Sequence, residues 1–94
     1  MSSVLNSAEI RAALQDLPGW EARETSIERV FQFADFANAM IFVNKIAAAA
    51  EAANHHPDIL VSYNKVTLTL VSHDSGGVTS RDIRMAGKIS ELAD

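Results

Sequence analysis

Apolar positions along this 94-residue chain switch between two spacings, and the switches mark out its elements. Ile10, Ala13, Leu14 and Leu17 recur at intervals of three and four, the spacing of one helical face. Asn6 stands before them with Glu9 three residues on. That is the arrangement of a capping box, and it predicts a helix starting at Asn6 or Ser7. Pro18-Gly19 ends it. Trp20 opens a short extended stretch over roughly 20–24, and Thr25-Ser26 turns the chain. Ile27, Arg29, Phe31 and Phe33 then alternate with Glu28, Val30 and Gln32, the period of a half-buried strand. The two segments predict a hairpin.

The longest helical pattern covers about Asp35 to Ala53. Phe36, Ala39, Met40, Val43, Ala47 and Ala50 predict its core face, while Ile41, Phe42, Ile46 and Ala49 make a second side apolar. A chain this short has one modest core, so the second side is expected to meet another subunit. Past His55-His56-Pro57, two β-branched runs, Ile59 to Tyr63 and Val66 to Ser72, reverse near Asn64 and Lys65 and predict a second hairpin. Val66, Leu68 and Leu70 fall on one face of the last strand; Lys65, Thr67, Thr69, Val71 and His73 fall on the other. Asp74-Ser75-Gly76-Gly77 is a turn. Thr79 caps the final helix with Asp82 in the reciprocal position, and Ile83, Ala86, Ile89 and Ala93 form its stripe. The order α-β-β-α-β-β-α predicts an α+β two-layer sandwich, a four-stranded antiparallel sheet with three helices on one face. With no repeat or linker, residues 1–94 read as a single domain.

Composition narrows the function. Apolar residues are 48% and charged residues 21% of the chain, the balance of a globular protein. Cysteine is absent, which removes disulfides and thiolate metal sites. A net charge of −4 without a basic run speaks against nucleic acid as a partner. No apolar stretch approaches the roughly 20 residues that span a bilayer. Met1 to Leu5 lacks the features of a signal peptide, so a cytoplasmic location is expected.

The candidate chemistry lies in the histidines. All three fall between residues 55 and 73, within the pattern Glu51-x3-His55-His56-Pro57-x5-Tyr63-x9-His73-x8-Asp82. Imidazole is the side chain suited to proton exchange near neutral pH. Glu51, four residues before His55, shares a face with it if the helix runs that far, and can hold the ring in one tautomer. His55 and His56 are adjacent, so they point apart or straddle a bend enforced by Pro57. His73 comes from the other hairpin. Separate elements thus converge on one pocket, as acid–base catalysis requires. Taken singly, each residue has a plainer reading. His55 suits a helix C-terminus, His56 a loop and His73 a strand end. Trp20 and Tyr63 suit a core or rim, and Asp82 is a capping acid. A zinc site is not expected, because adjacent histidines chelate one metal poorly and the usual i, i+4 pair is missing.

The whole pattern resembles the signature of the pterin-4a-carbinolamine dehydratase family, every position being present. Leu14-x2-Leu17-Pro18-Gly19-Trp20, Phe31-x-Phe33-x-Asp35-Phe36, Tyr63-Asn64-Lys65-Val66 and Gly77-Val78-Thr79-x2-Asp82 extend the resemblance over most of the chain. It implies an α+β hydro-lyase that dehydrates a small-molecule pterin, 4a-hydroxytetrahydropterin, to the quinonoid dihydropterin without metal or bound cofactor. This would recycle the cofactor of aromatic amino-acid hydroxylases. His55, His56 and His73 would carry the acid–base and hydroxyl-binding roles. Glu51 would orient His55, Trp20 would wall the pocket, and backbone groups near Ser72 and His73 would bind the pterin edge. Asn54 stands where animal members commonly carry an acid; it can hydrogen-bond but brings no charge. The resemblance also implies a homo-oligomer, a dimer through the sheets or a tetramer through the helices. Relatives serving as assembly factors or transcriptional coactivators give the alternative. Degenerate relatives of that kind are expected to lose histidines, and this chain keeps all three.

Overall fold

A computed structural model describes residues 3–93. The elements run α1 (Ser7–Leu14), β1 (Glu21–Ala22), β2 (Ile27–Gln32), α2 (Phe36–Ala53), β3 (Asp58–Ser62), β4 (Lys65–Leu70) and α3 (Ser80–Leu92). The four strands form one antiparallel sheet in the order β1-β2-β4-β3. Each hairpin supplies one inner and one edge strand, and the inner strands pair from Ile27↔Leu70 to Gln32↔Lys65. The three helices cover one face, as the periodicity predicts.

Caps fix where the helices start. Asn6 accepts from the Glu9 N–H at 2.8 Å while its own N–H donates to Glu9 Oε1 at 2.9 Å. Asp35 accepts from the Asn38 N–H at 2.8 Å to start α2. Such caps are worth about 1 kcal/mol each. At the α1–β1 turn Gly19 has φ +90°, and a Cβ there would lie 2.7 Å from Arg29 Nε. Glycine satisfies both the left-handed turn and the close approach. Arg29 lies over the Phe31 ring, 4.2 Å from its centroid, and donates to Ser90 Oγ.

The core sits between sheet and helices. Ile27 and Phe31 from β2 meet Val66, Leu68 and Leu70 from β4, Phe42 and Ile46 from α2, and Met85 and Ile89 from α3. This corrects the expected orientation of α2. Its buried residues are Ala39, Phe42, Ile46 and Ala50, whereas Phe36 is 51% and Ile41 54% exposed. Phe42 and Ile46, expected at a subunit contact, belong to the core. On a helix apolar over most of its circumference, a turn of about half a residue, roughly 50°, separates the two assignments. Apolar spacing cannot distinguish them.

Among the described residues, no layer covers the sheet's other face. Val30, Thr67 and Leu60 form one row across it through the pairings Val30↔Thr67 and Leu60↔Thr67, with Val30 54% and Leu60 63% exposed. Among the described residues no helix is long and apolar enough to cross a membrane.

Candidate active site

The site begins where α2 stops. Asn54 takes the left-handed conformation, φ 51° and ψ 43°, which asparagine tolerates better than most residues. The Asn54 N–H donates to Glu51 O and the His55 N–H to Ala50 O, the paired bonds of a Schellman motif. Asn54 thus has a backbone task that needs no charge. The motif reverses the chain so that His55 turns inward, and Pro57 keeps the helix from resuming before β3.

His55 meets Asp82. Its Nε2 lies 2.5 Å from Asp82 Oδ1, and the two side chains are 11% and 0% exposed. Asp82 Oδ2 accepts from Ser72 Oγ and from the Thr79 N–H, both at 2.9 Å, and Ser72 Oγ lies 2.8 Å from Thr79 Oγ1. The predicted capping box is present, and the same carboxylate also reaches the histidine. Buried carboxylates are stable only when hydrogen-bonded. Three donors from β4's end, the helix cap and α2's end meet that need, and the first turn of α3 favours negative charge.

Glu51 takes a different partner from the one its spacing suggests. Its Oε2 lies 2.5 Å from Nε2 of His56, not His55. The i, i+4 argument assumes that the helix continues through residue 55, but the left-handed Asn54 breaks it. Both side chains are open to solvent, His56 at 55% and Glu51 at 78%. His73 follows β4 and is exposed. All three imidazoles line one open cleft of about 320 Å³, together with Asn54, Val71, Ser72, Asp74 and Arg81. Glu51 braces it from outside.

Other expected contributors are placed elsewhere. Trp20 is 5% exposed, donates Nε1–H to Ser90 Oγ at 3.0 Å and packs edge-on against Phe31. Ser90 lies eight residues along α3 from Asp82, a rise of about 12 Å, so the structure does not bring Trp20 to the cleft of its own chain. The Ser72 backbone is committed to its turn: its N–H donates to Gly77 O, and its carbonyl accepts from Ser75, Gly76 and Gly77. That leaves its side chain, already bonded to Asp82, as its link to the site. Tyr63 occupies the far hairpin tip with φ 52° and is 67% exposed.

Two cleft residues escaped the sequence reading. Arg81 grips Asp74 with both terminal nitrogens, Nη1 at 3.2 Å and Nη2 at 2.5 Å, fastening the turn that follows His73. The guanidinium holds the Asp74 carboxyl below the usual carboxylate range, and Asp74 in turn raises Arg81. No periodicity marks this contact, because it joins a turn to a helix start. Among the described residues no three histidine, aspartate or glutamate side chains gather as a metal site would require.

An α+β sandwich with three imidazoles at one cleft, one of them bonded to a buried aspartate, is the class of protein that the structure defines, and its relatives give the family. A family model for pterin 4 alpha carbinolamine dehydratase matches residues 3–92, and the chain belongs to this family of hydro-lyases. A protein of Koribacter versatilis, provisionally named a pterin-4-alpha-carbinolamine dehydratase, is 56% identical over 98% of both chains. One from Thermomicrobium roseum, named likewise, is 48% identical over 95% of this chain and 96% of its own. Among solved structures, a transcriptional coactivator/pterin dehydratase from Brucella melitensis superposes with a TM-score of 0.94 at 38% identity, over 98% of this chain and 100% of that one. A pterin dehydratase-like RuBisCO assembly factor of the alpha-carboxysome shares the fold, with a TM-score of 0.65 at 23% identity over 79% and 86% of the two chains.

Proposed function

We propose that this chain dehydrates a 4a-hydroxytetrahydropterin to the quinonoid dihydropterin, recycling in the cytosol a cofactor spent by aromatic amino-acid hydroxylases. The observation that carries this reading is the meeting of all three imidazoles at one cleft, with His55 held by a buried carboxylate. The cleft's volume of about 320 Å³ lies at the small end of ligand sites, which start near 300 Å³ and suit a flat bicyclic ring.

The reaction removes one hydroxyl and one proton. Hydroxide leaves poorly, so an imidazolium protonates the 4a oxygen as the C–O bond breaks and water departs. The neighbouring ring nitrogen supplies the electron pair of the new C=N bond. A neutral imidazole takes the proton released by the ring. Each transfer is worth about 10²–10⁴-fold. Asp82 accepts from Nε2–H of His55, which leaves Nδ1 as the proton-exchanging nitrogen of the neutral ring, a tautomer assigned from its partner. His56 and His73 complete the set, binding the hydroxyl and exchanging protons.

Stopped-flow dehydration of chemically generated 4a-hydroxypterin tests this. Alanine at His55, His56 or His73 should slow the reaction far beyond any loss of folded protein. Near-normal rates in all three folded variants would sink the assignment. An inactive wild-type protein that binds a protein partner tightly would favour the scaffold reading.

We also propose that the chain forms a homo-oligomer. The open row of Val30 and Leu60 offers one apolar surface, and Ile41 on α2 offers another apolar position. Burying a leucine or isoleucine gains about 1.5–3 kcal/mol. Light scattering should report at least a dimer, and Leu60→Glu or Ile41→Glu should reduce its mass. A wild-type monomer at micromolar concentration would overturn it.

A further inference from the structure

Beside the histidine cleft, α2 and α3 enclose a groove of about 370 Å³. One wall is the alanine face of α2 at Ala49, Ala52 and Ala53. The other carries Arg81, Arg84 and Lys88, which share one side of α3 because residues three and four apart do so. Alanines leave this volume open where larger side chains would fill it. Among the described residues, no carboxylate lines the groove. Among the described residues, neither Arg84 nor Lys88 has a hydrogen-bond or ion-pair partner. In a chain with 8 Lys and Arg against 12 Asp and Glu, two unpaired cations along one groove, Arg84 and Lys88, reverse the local sign of charge.

The groove borders the cleft. Arg81 lines both, and Ala53 of the groove adjoins Asn54 of the cleft. We propose that the groove is an anion-binding extension of the histidine cleft, so that the pterin handled by this chain carries a side chain ending in a phosphate. This rests on the pterin reading above. Arg81 is occupied by Asp74, which leaves Arg84 and Lys88 for the ligand. A phosphate has oxygens enough to accept from both. Arg84 lies about 4.5 Å along α3 from Arg81, within reach of a three-carbon side chain on a ring seated in the cleft.

The test compares 7,8-dihydroneopterin with its 3′-phosphate, which differ only at the anion, by fluorescence titration. The wild-type protein should bind the phosphate ester about tenfold more tightly, the scale of two partly exposed charge contacts. Added salt should shrink that margin. In the double variant Arg84→Gln, Lys88→Gln the ratio should fall towards one, while Arg84→Lys should retain much of it. Melting curves establish that each variant is folded. Equal affinity for the two pterins in the wild-type protein, or a preference that survives in the double variant, would overturn the extension and leave the dehydratase reading standing. Failure to bind either pterin would remove both.

Discussion

Two imidazole–carboxylate pairs occupy this site, each with nitrogen and oxygen 2.5 Å apart, and their histidines are neighbours in the chain. Their surroundings are opposite. His55 and Asp82 are 11% and 0% exposed, whereas His56 and Glu51 are 55% and 78% exposed. Water competes little for the first pair, and Asp82 is also bound by Ser72 and Thr79, so this pair fixes a ring in place. Water and salt compete freely for the second, whose worth is at most about 1 kcal/mol. Equal distances therefore carry unequal consequences. The buried pair anchors the site, and the exposed pair supplies a histidine that can yield its carboxylate to a ligand.

The sharpest way to break this contrast is at Asp82. Asp82→Ala removes a helix cap and strands Ser72 and His55, and should cost about 3 kcal/mol in urea unfolding. Asp82→Asn keeps an oxygen for the Thr79 N–H but cannot hold the same tautomer of His55, so dehydration should fall by roughly 10²–10⁴ with much of the stability kept. A fully active Asp82→Asn enzyme would deny Asp82 its orienting task.

The next test separates the two histidines. His55→Ala should lose activity and also about 1–3 kcal/mol, because it leaves a buried carboxylate oxygen without its partner. His56→Ala should lose activity with stability unchanged to within about 0.5 kcal/mol. The double variant should be little slower than the worse single one, since both rings serve one transition state. Equal destabilisation by the two alanines, read from thermal melts, would erase the distinction.

Glu51→Gln should do less, with a few-fold loss of rate and under about 0.5 kcal/mol of stability. Raising the salt should diminish the difference from wild type. A large, salt-independent loss would mean that the exposed pair is as firm as the buried one.

The smallest effect concerns the turn behind His73. Asp74 titrates below its ordinary range because Arg81 bonds its charged form. Its contribution is therefore complete above the ordinary carboxylate range, near pH 4, and is lost as pH falls through the lowered folded value. Melts below about pH 4 should show a slightly shallower acid limb in Asp74→Asn than in wild type. Identical limbs would mean that the Arg81 clamp does not couple to folding.

Much of this arrangement is legible in the chain. The caps at Asn6 and Thr79 depend on residues three apart. The alternation in β2 and β4 likewise needs only neighbours, and both are readable from the chain alone. The histidine set was readable as a set. Its pairing was not: Glu51 was expected on His55, and one left-handed residue, Asn54, moves that carboxylate to His56. The core face of α2 was also misjudged, because a helix apolar over most of its surface carries too little contrast to orient it.

Local spacing thus determined the elements, their order, the capping acids and the presence of a histidine cluster, since those depend on interactions within a turn or a strand. Tertiary structure alone decided that Asp82 serves as cap and histidine partner at once, that Trp20 packs in the core, and that Arg81 borders both cleft and groove. The reason is physical. These contacts join residues far apart in the chain, and their geometry follows from how helices settle on the sheet, for which no repeat in the sequence keeps a record.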